Sequence, residues 1–205
     1  CALPILFDEV VTGFRFAYGG AQEYYGVTPD ICTLGKIAGG GFPLAAVAGR
    51  RDIMRHFDKS AMGEDVLPQI GTLSGNPVAS VAGLATLEVL RRPGTYEQVF
   101  ANGRRLMDGL TAMIEKAGLP AQVIGMPVLF DIIFATGEIV DYRSTLRHDA
   151  AAGERFNRSM RASGILKGAS KCYISTAHND ADIAKALSAF QASVDAEAAF
   201  RRLAA

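Results

Sequence analysis

The sequence predicts an α/β fold, a parallel or mixed sheet with flanking helices followed by a smaller α+β unit, and three observations carry that prediction. Two short apolar runs, residues 3–7 and 31–34, each end in a charge, at Asp8 and Lys36. Runs this apolar read as strands buried on both faces, because a sheet covered on both sides has no solvent face to alternate toward. The separation of the two charges, 36 − 8 = 28 residues, suits one strand–helix–strand crossover with a helix at about 21–25 inside it. The third observation is a change of pattern: a strand–helix alternation gives way, past the break at Arg91-Arg92-Pro93-Gly94, to a second set of strands and helices. Two domains are expected, 1–94 and 95–205.

Each element has a local reason. A third strand is expected around 45–48 and a short helix from about 51 to 57. The loop 58–70 holds Gly63, Glu64, Asp65 and Pro68 and shows no clear period. Asn76 is placed to cap a helix whose first position is Pro77, where a missing N–H costs nothing, and which runs to about Leu90. Its small residues Ala79, Ala82, Gly83 and Ala85 predict close packing. Thr95 with Gln98 three residues on forms a capping-box signature for the next helix. That helix carries Val99, Leu106, Leu110 and Met113 on one stripe and stops at Gly118, with Pro120 behind it. Strands near 121–124 and 128–134, a helix around 152–163, a strand at 171–175 and a last helix from Asn179 or Asp180 complete the reading. In that last helix Ile183, Leu187, Phe190 and Val194 make a core-facing stripe.

Composition excludes several function classes. The chain has 205 residues, 49% hydrophobic and 20% charged, with 21 basic and 21 acidic residues. A net charge of zero gives no footprint for nucleic acid or an anionic membrane surface, and no run approaches the ~20 apolar residues of a membrane helix. The three cysteines, Cys1, Cys32 and Cys172, read as free thiols in a reducing cytoplasm, and His56, His148 and His178 share no ligand spacing with them. No metal site is expected. The chain enters a strand that reads as central in its sheet almost at once, so an amino-terminal part of a larger protein is expected before it.

The chemistry centres on Asp8 and Lys36. Ligands of open α/β sheets bind beyond the carboxyl ends of the strands, where both charges fall. A buried aspartate there loses hydration worth several kcal/mol unless a cation or strong donors compensate. One reading is a structural ion pair with Lys36. The other is that both residues contact a cofactor, with Gly39, Gly40 and Gly41 letting backbone approach a flat ligand. A P-loop is excluded, because Asp30 and Ile37 stand where its first glycine and its Ser or Thr belong, and a dinucleotide fingerprint begun at Gly39 fails at Leu44.

Three segments taken in order, "FDEVVTGFR", "TPDICTLGKIAGGG" and "GTLSGNPVA", resemble the class-III, fold-type-I pyridoxal 5'-phosphate (PLP) aminotransferases. "AYGGAQEYYGVTPD" and "GTLSGNP" are similar to the branch containing glutamate-1-semialdehyde 2,1-aminomutase. The resemblance covers essentially the whole chain but only the carboxyl-terminal half of a family member. It implies the PLP-dependent transferase fold type I, with residues 1–94 as the carboxyl-terminal part of the cofactor-binding large domain and 95–205 as the small domain. It implies that Lys36 forms the Schiff base with the PLP aldehyde, that Asp8 bonds the pyridine nitrogen and that Val10 packs on a ring face. Thr72 would contact the cofactor phosphate of the neighbouring subunit, Gly71 beside it allowing close approach, so that a homodimer carries its active sites at the subunit interface.

The implied partners are a small-molecule amino donor and an oxo acceptor, in the cytoplasm, with neither nucleic acid nor membrane. Where the aminomutase branch has a segment like "PSQFE", this chain has Ser170, Lys171 and Cys172 in "KGASKCYISTAH". That departure favours amino transfer between two molecules over an intramolecular shift, and a non-catalytic fragment is the third alternative. Thr72 reads otherwise as a turn residue, Glu9 and Arg15 as a buried pair supporting the site, the tyrosines 18, 24 and 25 as packing residues, and His178 as a residue at a helix start. The family keeps its own-subunit phosphate cradle in its first half, so this stretch alone is expected to bind PLP poorly and to turn over little.

Overall fold

The computed structural model describes residues 3–204, and Cys1 lies outside them. The chain divides into two compact units, Cys1–Tyr96 and Glu97–Ala205. The first contains strands β1 (Leu6–Glu9), β2 (Ile31–Leu34) and β3 (Ala46–Gly49), in the order β1-β2-β3. β1 and β2 are parallel, with Asp8 opposite Thr33, and β3 returns antiparallel to β2. Helix α1 (Gly20–Tyr25) lies in the crossover, followed by a 3-10 turn at Lys36–Gly39. Helix α2 (Arg51–Met54) continues as a 3-10 turn to Phe57. The segment without a legible period contains helix α3 (Lys59–Met62), capped by the Asp58 carboxylate on Ser60 N–H. Helix α4 (Pro77–Leu90) starts where the Asn76–Pro77 pair requires, with Asn76 Oδ1 accepting the Ala79 N–H at 2.9 Å.

Two expectations are corrected in this unit. The strands are not buried on both faces: Leu6 is 56% exposed and β3 is exposed throughout. Among the described strands β1 is an edge strand, and three strands with one short crossover helix cover only part of a sheet. The Thr95 hydroxyl, read as half of a capping box with Gln98, instead donates to the Val89 carbonyl at 3.2 Å.

The second unit is built on helix α5 (Thr95–Ala117), strands β4 (Gln122–Met126) and β5 (Leu129–Ile133), helices α6 (Tyr142–Thr145) and α7 (Ala150–Ala162), the short β6 (Cys172–Tyr173) and helix α8 (Asp180–Ala204). Its sheet is antiparallel in the order β4-β5-β6. The core collects the stripes that the helical period marks: Leu106 and Leu110 of α5, Phe156 and Met160 of α7, and Ile183, Phe190 and Val194 of α8, all buried. Phe156 stacks on Phe190 with ring centroids 6.3 Å apart. The buried Glu197 is held by two guanidinium groups, Arg155 at 2.7 and 2.8 Å and Arg201 at 2.8 Å. A buried carboxylate is tolerated only when paired in this way.

Gly103 of α5 runs against Pro127 in the β4–β5 turn, and a Cβ there would overlap the Pro127 carbonyl group. Alanine is worth about 1 kcal/mol more than glycine inside a helix, but overlap with backbone cannot be relieved by a rotamer change and overpacking costs about 1–3 kcal/mol. Gly103→Ala is therefore expected to lower stability by about 1 kcal/mol or more in chemical denaturation. A gain in stability would contradict the described approach of the helix to the turn.

Candidate active site

The site is built from the carboxyl ends of the parallel pair. Asp8 lies on β1 opposite Thr33 of β2. Its Oδ1 accepts the Val10 N–H at 3.1 Å and the Thr33 hydroxyl at 3.4 Å, while Oδ2 has no hydrogen-bond partner among the described residues. The carboxylate is thus oriented from one side and open on the other. Among the described residues neither Asp8 nor Lys36 takes part in an ion pair, which removes the structural-pair reading.

Glu9, the next residue, is 1% exposed. Its carboxylate accepts from the Thr12 hydroxyl at 3.0 Å, the Ala21 N–H at 2.6 Å, and the Gln22 N–H and side-chain amide at 3.1 Å each. These donors offset the loss of hydration, and the first turn of α1 is a favourable place for negative charge. Gly20, at φ +78°, lies against this carboxylate so closely that a Cβ would collide with it. The expected Glu9–Arg15 pair is therefore replaced by a helix cap, and Arg15 Nε donates to the Val11 carbonyl at 3.1 Å. Sequence reading missed this arrangement, and it missed Thr33. The signal for Thr33 was the parallel register, which sets the two residues opposite each other.

Lys36 follows β2 and opens the 3-10 turn with φ +50°. A lysine in the left-handed region costs about 1–2 kcal/mol and persists only where the surroundings enforce it. The enforcement is visible. Ala38 N–H donates to the Gly35 carbonyl at 3.1 Å and Gly40 N–H to the Ile37 carbonyl at 3.0 Å. The turn also packs directly on α4: a Cβ on Gly83 would lie 2.5 Å from the Ala38 carbonyl oxygen, and one on Gly40 would lie 2.7 Å from the Ala82 carbonyl oxygen. This corrects the flat-ligand reading for Gly39 and Gly40, whereas Gly41, at φ +93°, has nothing within 4 Å of where a Cβ would stand. Gly39 and Gly40 serve packing against Leu44 and α4, which also explains the small residues of that helix. The Lys36 side chain itself is exposed.

Val10 stands beside this turn, since a Cβ on Gly35 would lie 3.4 Å from Val10 Cγ1. The structure thus brings Asp8, Val10 and Lys36 to one sheet edge. Gly71 and Thr72 lie elsewhere, in an exposed turn before α4 where Ser74 N–H donates to the Gly71 carbonyl at 3.0 Å. Gly71 lines a cavity of about 870 Å³ together with Leu44, Val47, Phe57 and Ile70, whereas Lys36 does not line it. Phe16 meets Tyr24 and Tyr25 edge-on although both tyrosines are exposed, and the Arg91 guanidinium sits 5.1 Å from the Tyr18 ring centre. Tyr96 donates its hydroxyl to the Phe14 carbonyl at 2.9 Å, and burial pushes this phenol up to about 12. His178 lies just before α8 and its Nδ1 accepts the Ser175 N–H at 3.1 Å.

The residues present fit PLP. An acceptor-only carboxylate with one open oxygen suits a protonated ring nitrogen, an exposed primary amine suits an aldehyde, and a branched apolar side chain lies between them in sequence. Removing the amine also separates strain from chemistry. Lys36→Gly and Lys36→Ala both delete it, but only glycine relieves the left-handed backbone, so Lys36→Gly is expected to be the more stable variant by about 1 kcal/mol. Thermal or denaturant unfolding measures the difference, and a more stable alanine variant would contradict the observed backbone at this residue.

The family model for class-III aminotransferases matches residues 3–193. Over 191 residues the chain is 42% identical to a glutamate-1-semialdehyde 2,1-aminomutase of Desulfosudis oleivorans, covering 92% of this chain and 44% of that protein. An omega-transaminase from Sphaerobacter thermophilus superposes with a TM-score of 0.89 at 33% identity, covering 95% of this chain and 44% of the other. A transaminase solved with PLP bound superposes with a TM-score of 0.84 at 32% identity, covering 97% of this chain and 45% of that one. The chain therefore spans less than half the length of the relatives it matches. With that match running through both units, the chain belongs to the class-III aminotransferases, and its fold is that of the fold-type-I PLP enzymes.

Proposed function

We propose that the protein is a PLP-dependent aminotransferase that moves an amino group from an amino acid or amine to an oxo acceptor. The observation that carries this is Lys36, a primary amine held on a left-handed residue at the carboxyl end of β2, with Asp8 at the same edge. Bound PLP supplies an aldehyde and an electron-accepting ring that stabilises a substrate carbanion. With PLP bound, the exposed Lys36 amine would be the group that holds its aldehyde, and the same amine, when free, would be the base that takes a proton from the substrate Cα. Asp8, kept in position by the Thr33 hydroxyl and the Val10 N–H, would hold a proton on the ring nitrogen, and Val10 would supply an apolar surface for the ring. An arginine could not replace Lys36, because its guanidinium does not deprotonate.

Gly71 and Thr72 belong to the same proposal as the backbone and hydroxyl that meet the cofactor phosphate of a second subunit in a homodimer. Their exposure supports this, as do the exposed apolar residues Val78, Val81 and Leu84 on the neighbouring helix. The two compact units would then correspond to the carboxyl-terminal part of a large cofactor-binding domain and to a small domain. No described helix is long and apolar enough to cross a membrane. The free thiols Cys32 and Cys172 support a cytoplasmic setting.

A second reading, intramolecular amino transfer, is favoured by the 42% identity to an aminomutase. The presence of both Asp8 and Lys36 argues against a non-catalytic role. Supplying the intact protein with an amino donor and pyruvate or 2-oxoglutarate separates the readings. Transamination is expected to yield a new amino acid from the acceptor, and Lys36→Ala should abolish it. Conversion of a single amino semialdehyde with no acceptor required would establish the aminomutase instead. No turnover of either kind would overturn the catalytic proposal.

A further inference from the structure

The second unit contains a cavity of about 360 Å³ that reaches the core. Phe130, Met160, Ile183 and Phe190 line it although each is almost wholly excluded from solvent. Its polar lining has the opposite character, with three lysines, Lys167, Lys171 and Lys185, against one carboxylate, Asp182. Asp182 is already engaged, since its Oδ2 accepts the Asn179 N–H at 3.0 Å.

The lysines differ in setting. The Lys167 side chain is 5% exposed and its ammonium lies 3.2 Å from Asp131, where burial pushes the carboxyl up more than the ammonium pulls it down. Lys167 also donates to the Gly168 carbonyl at 3.1 Å, which uses two of the three protons an ammonium carries. Lys171 and Lys185 are exposed, and none of the ion pairs among the described residues involves them. Lys185 reaches over the turn at Gly164, where a Cβ would lie 3.3 Å from its Nζ. Two further lining residues add no negative charge. His178 uses Nδ1 as an acceptor, so a neutral ring carries its proton on Nε2. Burial pushes the Cys172 thiol up to about 12, which keeps it neutral at neutral pH.

Three ammonium groups set against Asp131 and Asp182 leave one uncompensated positive charge at the mouth of an apolar hole. We propose that this cavity is a binding site for a small monocarboxylate with a hydrocarbon body, its carboxylate at Lys171 and Lys185 and its body on the floor at Met160. The volume is in the range of small-molecule sites, which combine an apolar lining with a few charged groups that orient the ligand. An inorganic anion would leave the floor bare, and an alkylammonium would meet like charge.

Hexanoate, hexylamine and acetate are the probes, titrated into the intact protein labelled with ¹³C at its methionine methyl groups, with Met160→Leu identifying the Met160 resonance. Hexanoate is expected to move that resonance saturably, whereas hexylamine and acetate at the same concentrations leave it in place. Combining Lys171→Gln with Lys185→Gln, both at exposed positions, should weaken hexanoate by about fivefold without changing the thermal transition. The proposal is overturned if hexanoate leaves Met160 unmoved, if hexylamine moves it equally, or if the double variant binds hexanoate as tightly as the parent.

Discussion

The buried carboxylate of Glu9 is the interaction on which the candidate site depends. It ties the end of β1 to the first turn of α1 through donors from Thr12, Ala21 and Gln22. A group so thoroughly satisfied is costly to disturb, because any donor left unpaired in a buried setting loses about 1–3 kcal/mol. By fixing where α1 begins, Glu9 fixes the crossover that carries the chain from β1 to β2. The register that follows places Thr33 against Asp8 and delivers Lys36 to the same edge. Two adjacent carboxylates thus do different work: Glu9 is spent inside the protein, and Asp8 keeps one oxygen without a hydrogen-bond partner among the described residues.

The second constraint is the seating of the Lys36 turn on α4. Small residues on both sides, Gly40 on the turn and Gly83 on the helix, let backbone approach backbone without side chains between. That contact leaves the turn little freedom and accounts for a lysine being held where glycine would be more comfortable. Strain of this kind is characteristic of functional residues. It also links the turn to the helix that follows Gly71 and Thr72, so one helix sets both segments that the proposal assigns to the cofactor.

Much of this was legible in the sequence because the signals were local. Asn76–Pro77 marks the start of α4, and the spacing of Ile183, Phe190 and Val194 marks the buried face of α8. The charges ending two apolar runs pointed to the sheet edge at which Asp8 and Lys36 lie. What was not legible depends on contacts distant in sequence. The partners of Glu9 are up to 13 residues away, and no periodicity reveals them. Gly40 reads the same in sequence whether it admits a ligand or a helix, and only the position of Ala82 decides. Exposure of Leu6 and β3 was invisible because apolar composition reports what a strand can bury, not what is present to cover it. In the second unit the cationic mouth over an apolar floor likewise assembles residues from five separate elements and the connections between them, which no local pattern announces.

Lys36 is proposed as the residue that anchors the cofactor, and peptide mass mapping after borohydride reduction of the PLP-loaded intact protein tests this most directly. The predicted result is a single pyridoxyl modification on the peptide containing Lys36. Modification of another lysine such as Lys167 or Lys171, or of none, would contradict the assignment.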